Sequence, residues 1–260
     1  MQRVRIKMEI IVRNKRIDDI PLLEVFRRDH NSKKPMIILY HGYLGRKESV
    51  LLQAYLFATN GFFVVVPDAY GHGERSSGQI VNLFTSITES VSEINKMIDH
   101  YRDSREADYT RVGLAGYSMG GCITFSYLTL KDKRIKAAVP VISTPDWVSI
   151  IENLRTGELL AEFKAQGIIK HESEVEEYLK VAKEIQPINH YEAMTDTPLL
   201  MLCGEKDNVT PPAGVKRLYE MLSSVFFDKN ALKYSIYPEV GHGDTLEMNL
   251  ELCEWMKRFV

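Results

Sequence analysis

Short, almost uninterrupted apolar runs recur along the chain, and helical patterns fill the gaps between them. Met36 to Tyr40 reads MIILY, and Phe62 to Val66, Val112 to Ala115 and Ala137 to Ile142 are of the same kind. Leu199 to Leu202 and Tyr234 to Tyr237 complete the set. A strand with no polar alternation is covered on both faces. The gaps hold amphipathic helices. Val50, Leu51, Ala54, Tyr55 and Ala58 share one face, with Gly61 as the stop. Ile87, Val91, Ile94 and Ile98 share another, followed by Ile123, Tyr127 and Leu130, and finally Leu246, Leu250, Cys253 and Met256 from about Thr245 onward. Strands alternating with helices predict an α/β fold, with a mostly parallel twisted sheet of about eight strands and helices on both faces. Val4 to Val12 and Ile20 to Phe26 read as an N-terminal hairpin joined by the polar stretch Arg13 to Asp19.

One segment breaks the alternation. From Pro145 to Asp196 no strand pattern occurs. Trp147, Ile150, Ile151 and Leu154 share a helical face, as do Val175, Tyr178, Leu179 and Ala182. We read residues 1–260 as one domain, with 145–196 a helical cap inserted over the carboxyl edge of the sheet; ordinary packing on the sheet flank is the alternative. In such sheets function gathers in the loops at the carboxyl ends of the strands.

Composition narrows the function classes. The 260 residues are 45% hydrophobic and 26% charged, with a formal net charge of −2. That balance gives no reason to expect a nucleic-acid partner. The opening MQRVRIKMEI lacks the apolar stretch of a secretory signal, and no run is long enough to span a bilayer. A cytoplasmic protein is the expectation. Three cysteines without paired spacing argue against both a disulfide framework and a zinc site.

The chemistry is concentrated at predicted strand ends. Gly113 to Gly121 reads GLAGYSMGG, with a strand before Ser118 and a helix after it. A sharp strand-to-helix turn forces its central residue into a strained backbone and demands small residues two positions to either side. Gly116 and Gly120 occupy those positions. The turn would lift the Ser118 hydroxyl above the sheet and leave the Met119 N–H free to meet developing negative charge. A serine needs a base. Among seven histidines, His242 in PEVGHGDT follows the last strand and is flanked by glycines. The base needs an orienting carboxylate. Asp207 in LCGEKDNVTPP is favoured over Glu205, which lies nearer the strand end, for its shorter side chain and its spacing before the Thr-Pro turn. After Met36 to Leu39 comes YHGYLGRKE, where the Tyr43 N–H is the expected partner of the Met119 N–H in an oxyanion hole. His41 suits a structural role fixing that amide. His72 in PDAYGHGERS is expected to tie its loop down, with a substrate-facing role for His72 or Arg75 as the alternative.

The motifs HGYLGRKE, PDAYGHGER, GYSMGG, GEKD and GHGD, and the order Ser118, Asp207, His242, make the chain similar to the α/β-hydrolase superfamily from the oxyanion loop to the final helix. Within it, the chain resembles small bacterial esterases of the branch related to dienelactone hydrolases and to the catalytic domains of prolyl oligopeptidases. The resemblance implies a carboxylesterase acting on short or medium acyl esters through an acyl-enzyme, with a small-molecule ester as partner and no metal or organic cofactor. Dienelactone hydrolases carry cysteine at the place of Ser118, haloalkane dehalogenases and epoxide hydrolases carry aspartate, and prolyl oligopeptidases add a propeller for which this chain has no residues. The same triad serves thioesterases, amidases and acyltransferases, and a ligand-binding protein on a hydrolase fold is the reading from another class. Trp147, Leu154, Phe163 and Tyr178 are candidate acyl-pocket residues, with cap core as the alternative; Tyr117 and Met119 flank the nucleophile and are further pocket candidates. The oligomeric state, monomer or homodimer, stays open.

Overall fold

The computed structural model describes residues 9–28, 33–154, 158–165, 169, 171 and 173–260. Its strands are β1 (Ile10–Ile17), β2 (Ile20–Arg27), β3 (Lys34–Tyr40), β4 (Phe63–Pro67), β5 (Ala107–Tyr117), β6 (Ala137–Val141), β7 (Leu199–Gly204) and β8 (Leu232–Tyr237). Its helices are α1 (Leu51–Thr59), α2 (Leu83–His100), α3 (Met119–Leu128), α4 (Trp147–Leu154), α5 (Glu158–Ala165), α6 (Ser173–Ile185), α7 (Ala213–Val225) and α8 (Leu246–Phe259). The strands form one eight-stranded sheet in the order β1-β2-β4-β3-β5-β6-β7-β8. The β1–β2 and β2–β4 pairings are antiparallel and all later ones parallel. This is the α/β-hydrolase fold.

Both faces of the sheet are buried, as the apolar runs require. Side chains alternate along a strand, so Ile38 and Tyr40 of β3 join Phe84, Ile87 and Ile94 of α2 and Ile123 of α3 on one face. Ile37 and Leu39 join Ala54 and Phe57 of α1 and Met248, Leu252 and Met256 of α8 on the other. Each such fully buried aliphatic or aromatic side chain contributes about 1.5–3 kcal/mol relative to exposure. Between β6 and β7 the described residues hold only helical and irregular structure.

The first strand departs from expectation. Residues 4–8 of the expected strand lie outside the described residues, and β1 runs through the polar stretch read as a connection, turning at Asp18 with φ 51. The reason is Glu24, fully buried on β2. Arg13 stands directly opposite Glu24 and donates Nε–H to its Oε2 at 2.6 Å; Lys15 Nζ lies 3.0 Å from Oε1. The Tyr101 hydroxyl donates to the same Oε1 at 2.9 Å. Cations that looked like loop residues therefore neutralise a buried carboxylate, and they also keep a sheet edge from pairing further.

Helix faces shift in smaller ways. Tyr55 is half exposed, and Phe57 instead joins Ala54 and Ala58 on the buried face, the i, i+3, i+4 spacing of one side of a helix. Leu246 and Leu250 face outward, and the buried side of α8 is Met248, Leu252, Trp255 and Met256, the spacing of a helix docked on a flat sheet. Leu130 lies just beyond α3.

Replacing Tyr101 by Phe leaves the buried Glu24 carboxylate one donor short. The expected loss of unfolding free energy in urea is about 1.5–3 kcal/mol; an unchanged midpoint would show that the two cations satisfy Glu24 without the phenol.

Candidate functional site

The site begins with a backbone constraint. Ser118 sits between β5 and α3 at φ 54 and ψ −114. This region is costly for a residue with a Cβ. It is held from both sides: the Ser118 N–H donates to Val141 O at 3.0 Å, and Ser118 O accepts from Gly121 and Cys122 N–H at 2.9 and 3.0 Å. The flanking glycines are sterically required. A Cβ on Gly116 would lie 2.2 Å from Gly120 O, and one on Gly120 would lie 2.5 Å from Tyr40 O. Strand β3, strand β5 and helix α3 meet there at backbone contact.

The loop after β8 brings His242 to this turn. Its Nε2 lies 3.0 Å from Ser118 Oγ. Its Nδ1 lies 2.9 and 3.1 Å from the two carboxylate oxygens of Asp207, in the loop after β7. Residues 124 and 35 positions apart in the chain thus form one line of hydrogen bonds. Asp207 is buried. Burial works to raise its carboxyl, yet hydrogen bonds from His242 and Thr210 outweigh that and hold it below the usual carboxylate range. Val209 N–H (2.9 Å) and Thr210 N–H (2.8 Å) donate to Oδ1, and Thr210 Oγ1 lies 2.8 Å from Oδ2. Glu205, the rival carboxylate, instead accepts from the Glu239 N–H at 3.3 Å.

The loop after β3 passes beside the serine. A Cβ on Gly42 would lie 3.5 Å from Ser118 Cβ and 4.0 Å from its Oγ. His41 is fully buried and donates Nδ1–H to Gly42 O at 2.7 Å while its Nε2 accepts from Ala69 N–H at 3.1 Å. Gly45 N–H reaches the same Gly42 carbonyl at 3.1 Å. A trans peptide points its N–H opposite to its C=O, so these two bonds set the direction of the Tyr43 N–H. Burial depresses His41 to about 4, against the weaker pull of its bond to Gly42, so the imidazole is neutral at pH 7 and has the one donor and one acceptor that its partners need. Downstream, buried Lys47 anchors the same loop. Its N–H donates to Asp68 Oδ1 at 2.8 Å and its ammonium sits 3.2 Å from Oδ2. The loop after β4 is tied in turn, since Glu74 N–H donates to Asp68 Oδ2 at 3.0 Å and Arg75 grips Glu93 through both carboxylate oxygens. His72 holds Tyr70 O through Nδ1 at 2.9 Å and packs against the Tyr43 ring, which places it and Arg75 in the loop framework.

An apolar cavity of about 120 Å³ opens beside Ser118. Met119, Trp147 and Phe163, named above as pocket candidates, line it, and so does Tyr43, named there only for its backbone N–H. Phe84 and Ile87 of α2, Cys122 of α3, Ile150 and Ile151 of α4 and Thr210 line it too, without having been singled out as pocket residues. Cys122 was detectable in principle, being one helical turn beyond Ser118 on the same face. Tyr178 is not part of the wall; it stands edge-on behind Phe84 at 5.7 Å. Tyr117 is a clearer departure. Strand alternation turns it to the opposite face of the sheet, where it packs with α8 and its hydroxyl donates to Asn249 Oδ1. Leu154 ends α4, and its side chain lies outside the described residues.

Among the described residues, no group of three or more His, Cys, Asp or Glu side chains is placed to hold a metal ion. Nor is any described helix long and apolar enough to cross a membrane.

Known proteins agree with this architecture. The chain is 28% identical over 260 aligned residues to YitV of Bacillus subtilis (strain 168), covering 96% of this chain and 100% of that one. It is 26% identical over 253 residues to Esterase YjfP of Escherichia coli (strain K12), covering 92% and 94%. The crystal structure of TT1662 from Thermus thermophilus shares the fold with a TM-score of 0.71 at 19% identity, over 95% of this chain and 98% of that one. Residues 48–259 match the profile of the prolyl oligopeptidase family. The chain belongs to the prolyl oligopeptidase family, on the α/β-hydrolase fold.

Proposed function

We propose that this esterase-type serine hydrolase cleaves carboxylic esters of short or medium acyl chain through an acyl-enzyme, with Ser118 as nucleophile, His242 as general base and Asp207 as its orienting carboxylate. The observation that carries the reading is the unbroken line from Ser118 Oγ through the imidazole to Asp207, at 3.0 and 2.9 Å. Ser118 Oγ attacks the ester carbonyl as its proton passes to His242 Nε2. The charge that appears on the imidazole faces an ionised Asp207. The carbonyl oxygen becomes an oxyanion between the Tyr43 and Met119 N–H groups, each worth about 2.7–4 kcal/mol in comparable sites. Met119 is the first residue of α3, so its N–H belongs to the unpaired donors of a helix start. Collapse breaks the ester C–O bond, and the proton on Nε2 goes to the leaving alcohol. Water then repeats the sequence and releases the acid.

The cavity supports the substrate class. Its wall is apolar, and its volume is somewhat below the roughly 150 Å³ that holds one benzene ring in a dry core. Helices α4 to α6 are read as a cap on a single catalytic domain, because Ile150, Ile151 and Phe163 form one side of that cavity. Three free, buried thiols suit a reducing compartment, in keeping with a cytoplasmic placement.

Ser118→Ala is expected to lower kcat on p-nitrophenyl butyrate by roughly 10⁴-fold or more with the fold intact; retained turnover, or a fluorophosphonate label on another residue, removes the nucleophile assignment. Across a series of p-nitrophenyl esters, kcat/KM is expected to peak at acyl groups of about six carbons or fewer, and Phe163→Ala to move the peak to longer chains. A flat profile in both proteins contradicts the cavity as acyl site. His41 gives a stability prediction. Its folded pKa lies below the value of 6.5 that an unfolded histidine has, so the unfolded chain takes up the proton first. The His41 contribution is therefore complete above about 6.5 and is lost as pH falls toward about 4, with a slope of up to about 1.4 kcal/mol per pH unit. Urea unfolding at a series of pH values should show that slope in the wild type and a shallower one in His41→Asn.

A further inference from the structure

The segment that carries His242 is in backbone contact with the end of β7 on its upstream side, where a Cβ on Gly204 would lie 2.4 Å from Val240 O and 2.5 Å from Gly241 O, and it is open around the histidine itself and the glycine after it. A Cβ on Gly243 would meet nothing within 4 Å, and one on Gly241 would meet only Lys206 O, at 3.8 Å. His242 itself is half-buried. Upstream, the Lys206 N–H fastens the segment through Val240 O at 2.8 Å. Downstream, the fastening is Asp244, two residues beyond the histidine. Although exposed, Asp244 receives two donors on Oδ2: Asn249 Nδ2–H at 2.6 Å and Gln53 Nε2–H at 2.9 Å. Asn249 is buried in α8, and its Oδ1 accepts the hydroxyl of Tyr117, the residue immediately before Ser118. A chain of hydrogen bonds thus runs behind the sheet from the neighbour of the nucleophile to the neighbour of the base.

We propose that Asp244 is a positioning residue, and that the tether Tyr117–Asn249–Asp244, braced by Gln53 of α1, sets the distance between His242 Nε2 and Ser118 Oγ. The proposal rests on the reading of Ser118 and His242 as nucleophile and base. Its physical content is that a glycine-flanked loop is free to drift by an ångström, and that such drift is expensive for proton transfer. The tether acts on the downstream side, where Gly243 has no neighbour within reach of a Cβ. Asn249 presents its carbonyl to the phenol and its amide to the carboxylate, so each partner sees the complementary end of one fixed group. A competing role exists for the same carboxylate. Thr245 caps α8 by accepting the Met248 N–H at 3.2 Å, and a negative charge just before that cap favours the helix dipole. That role would appear in stability alone.

The test uses the full chain and p-nitrophenyl butyrate. In Asp244→Ala, kcat is expected to fall by about ten- to a hundred-fold, with KM changed by less than about two-fold. Asp244→Asn keeps an acceptor oxygen for Asn249 and Gln53 and is expected to recover most of kcat. The acid limb of the kcat/KM profile is expected to stay in place in both variants, since the effect is positional. Tyr117→Phe is expected to lower kcat alone and to add little on top of Asp244→Ala, as members of one chain should. A kcat within about two-fold of wild type in Asp244→Ala, whatever its melting temperature, overturns the tether. So does an Asp244→Asn variant as slow as Asp244→Ala with a displaced acid limb, which would mean that charge and not position matters. Fluorophosphonate labelling of wild type separates the two layers: no label on Ser118 overturns the reading of the site itself, whereas a labelled Ser118 with an indifferent Asp244→Ala overturns the tether alone.

Discussion

The approach of α3 to the end of β3, close enough that Gly120 has no space for a Cβ beside Tyr40 O, dictates most of the geometry at this edge of the sheet. Because the helix starts so near the sheet, the residue that turns into it cannot keep an ordinary backbone. Ser118 takes φ 54, and its strain is offset by the burial of α3 and by hydrogen bonds on both sides. One crowded contact thereby presents a hydroxyl and a free helix-start N–H at the same place. The loops after β3, β7 and β8 need only come to that point, and the parallel sheet sends all of them there.

The loops are then fixed by buried polar groups. Asp68, fully buried, gathers the Lys47 backbone and ammonium together with the Glu74 N–H, and so ties the loop after β3 to the loop after β4. Neutral His41 bridges the same two loops. Breaking a buried pair of this kind typically destabilises by about 3–5 kcal/mol. In the proposed mechanism, the Tyr43 amide is therefore directed by His41, which takes no part in proton transfer, while His242 is held by a carboxylate with three further protein donors around it.

How far the sequence foretold this depends on whether a constraint is local. The turn at Ser118 was legible because its requirement, glycine two positions to either side, is written within five residues. The central strands were legible because burial on both faces erases polar alternation. The course of β1 was not, since Arg13 and Lys15 make sense in a strand only once Glu24 is known to be buried opposite them. Tyr117 was placed on the pocket wall by its nearness in sequence to Ser118, although the two-residue period of a strand sends it to the other face. Phe84 and Ile87 line the cavity but belong to α2, whose apolar face looks like ordinary core until its neighbours are known. Asp244 belonged to a motif noticed for its histidine, and its partners on α1 and α8 are far away in the chain.

The cavity and the hydrogen-bonded chain behind His242 lie on opposite faces of one sheet, the first against α2, α3 and α4 and the second against α1 and α8. On the proposed reading of the site, substitutions that reshape the cavity therefore fall in a different core from those that alter the Tyr117–Asn249–Asp244 chain. On that reading, ester preference can change at the cavity wall of α4 and α5 while the Ser118–His242–Asp207 line stays as it is.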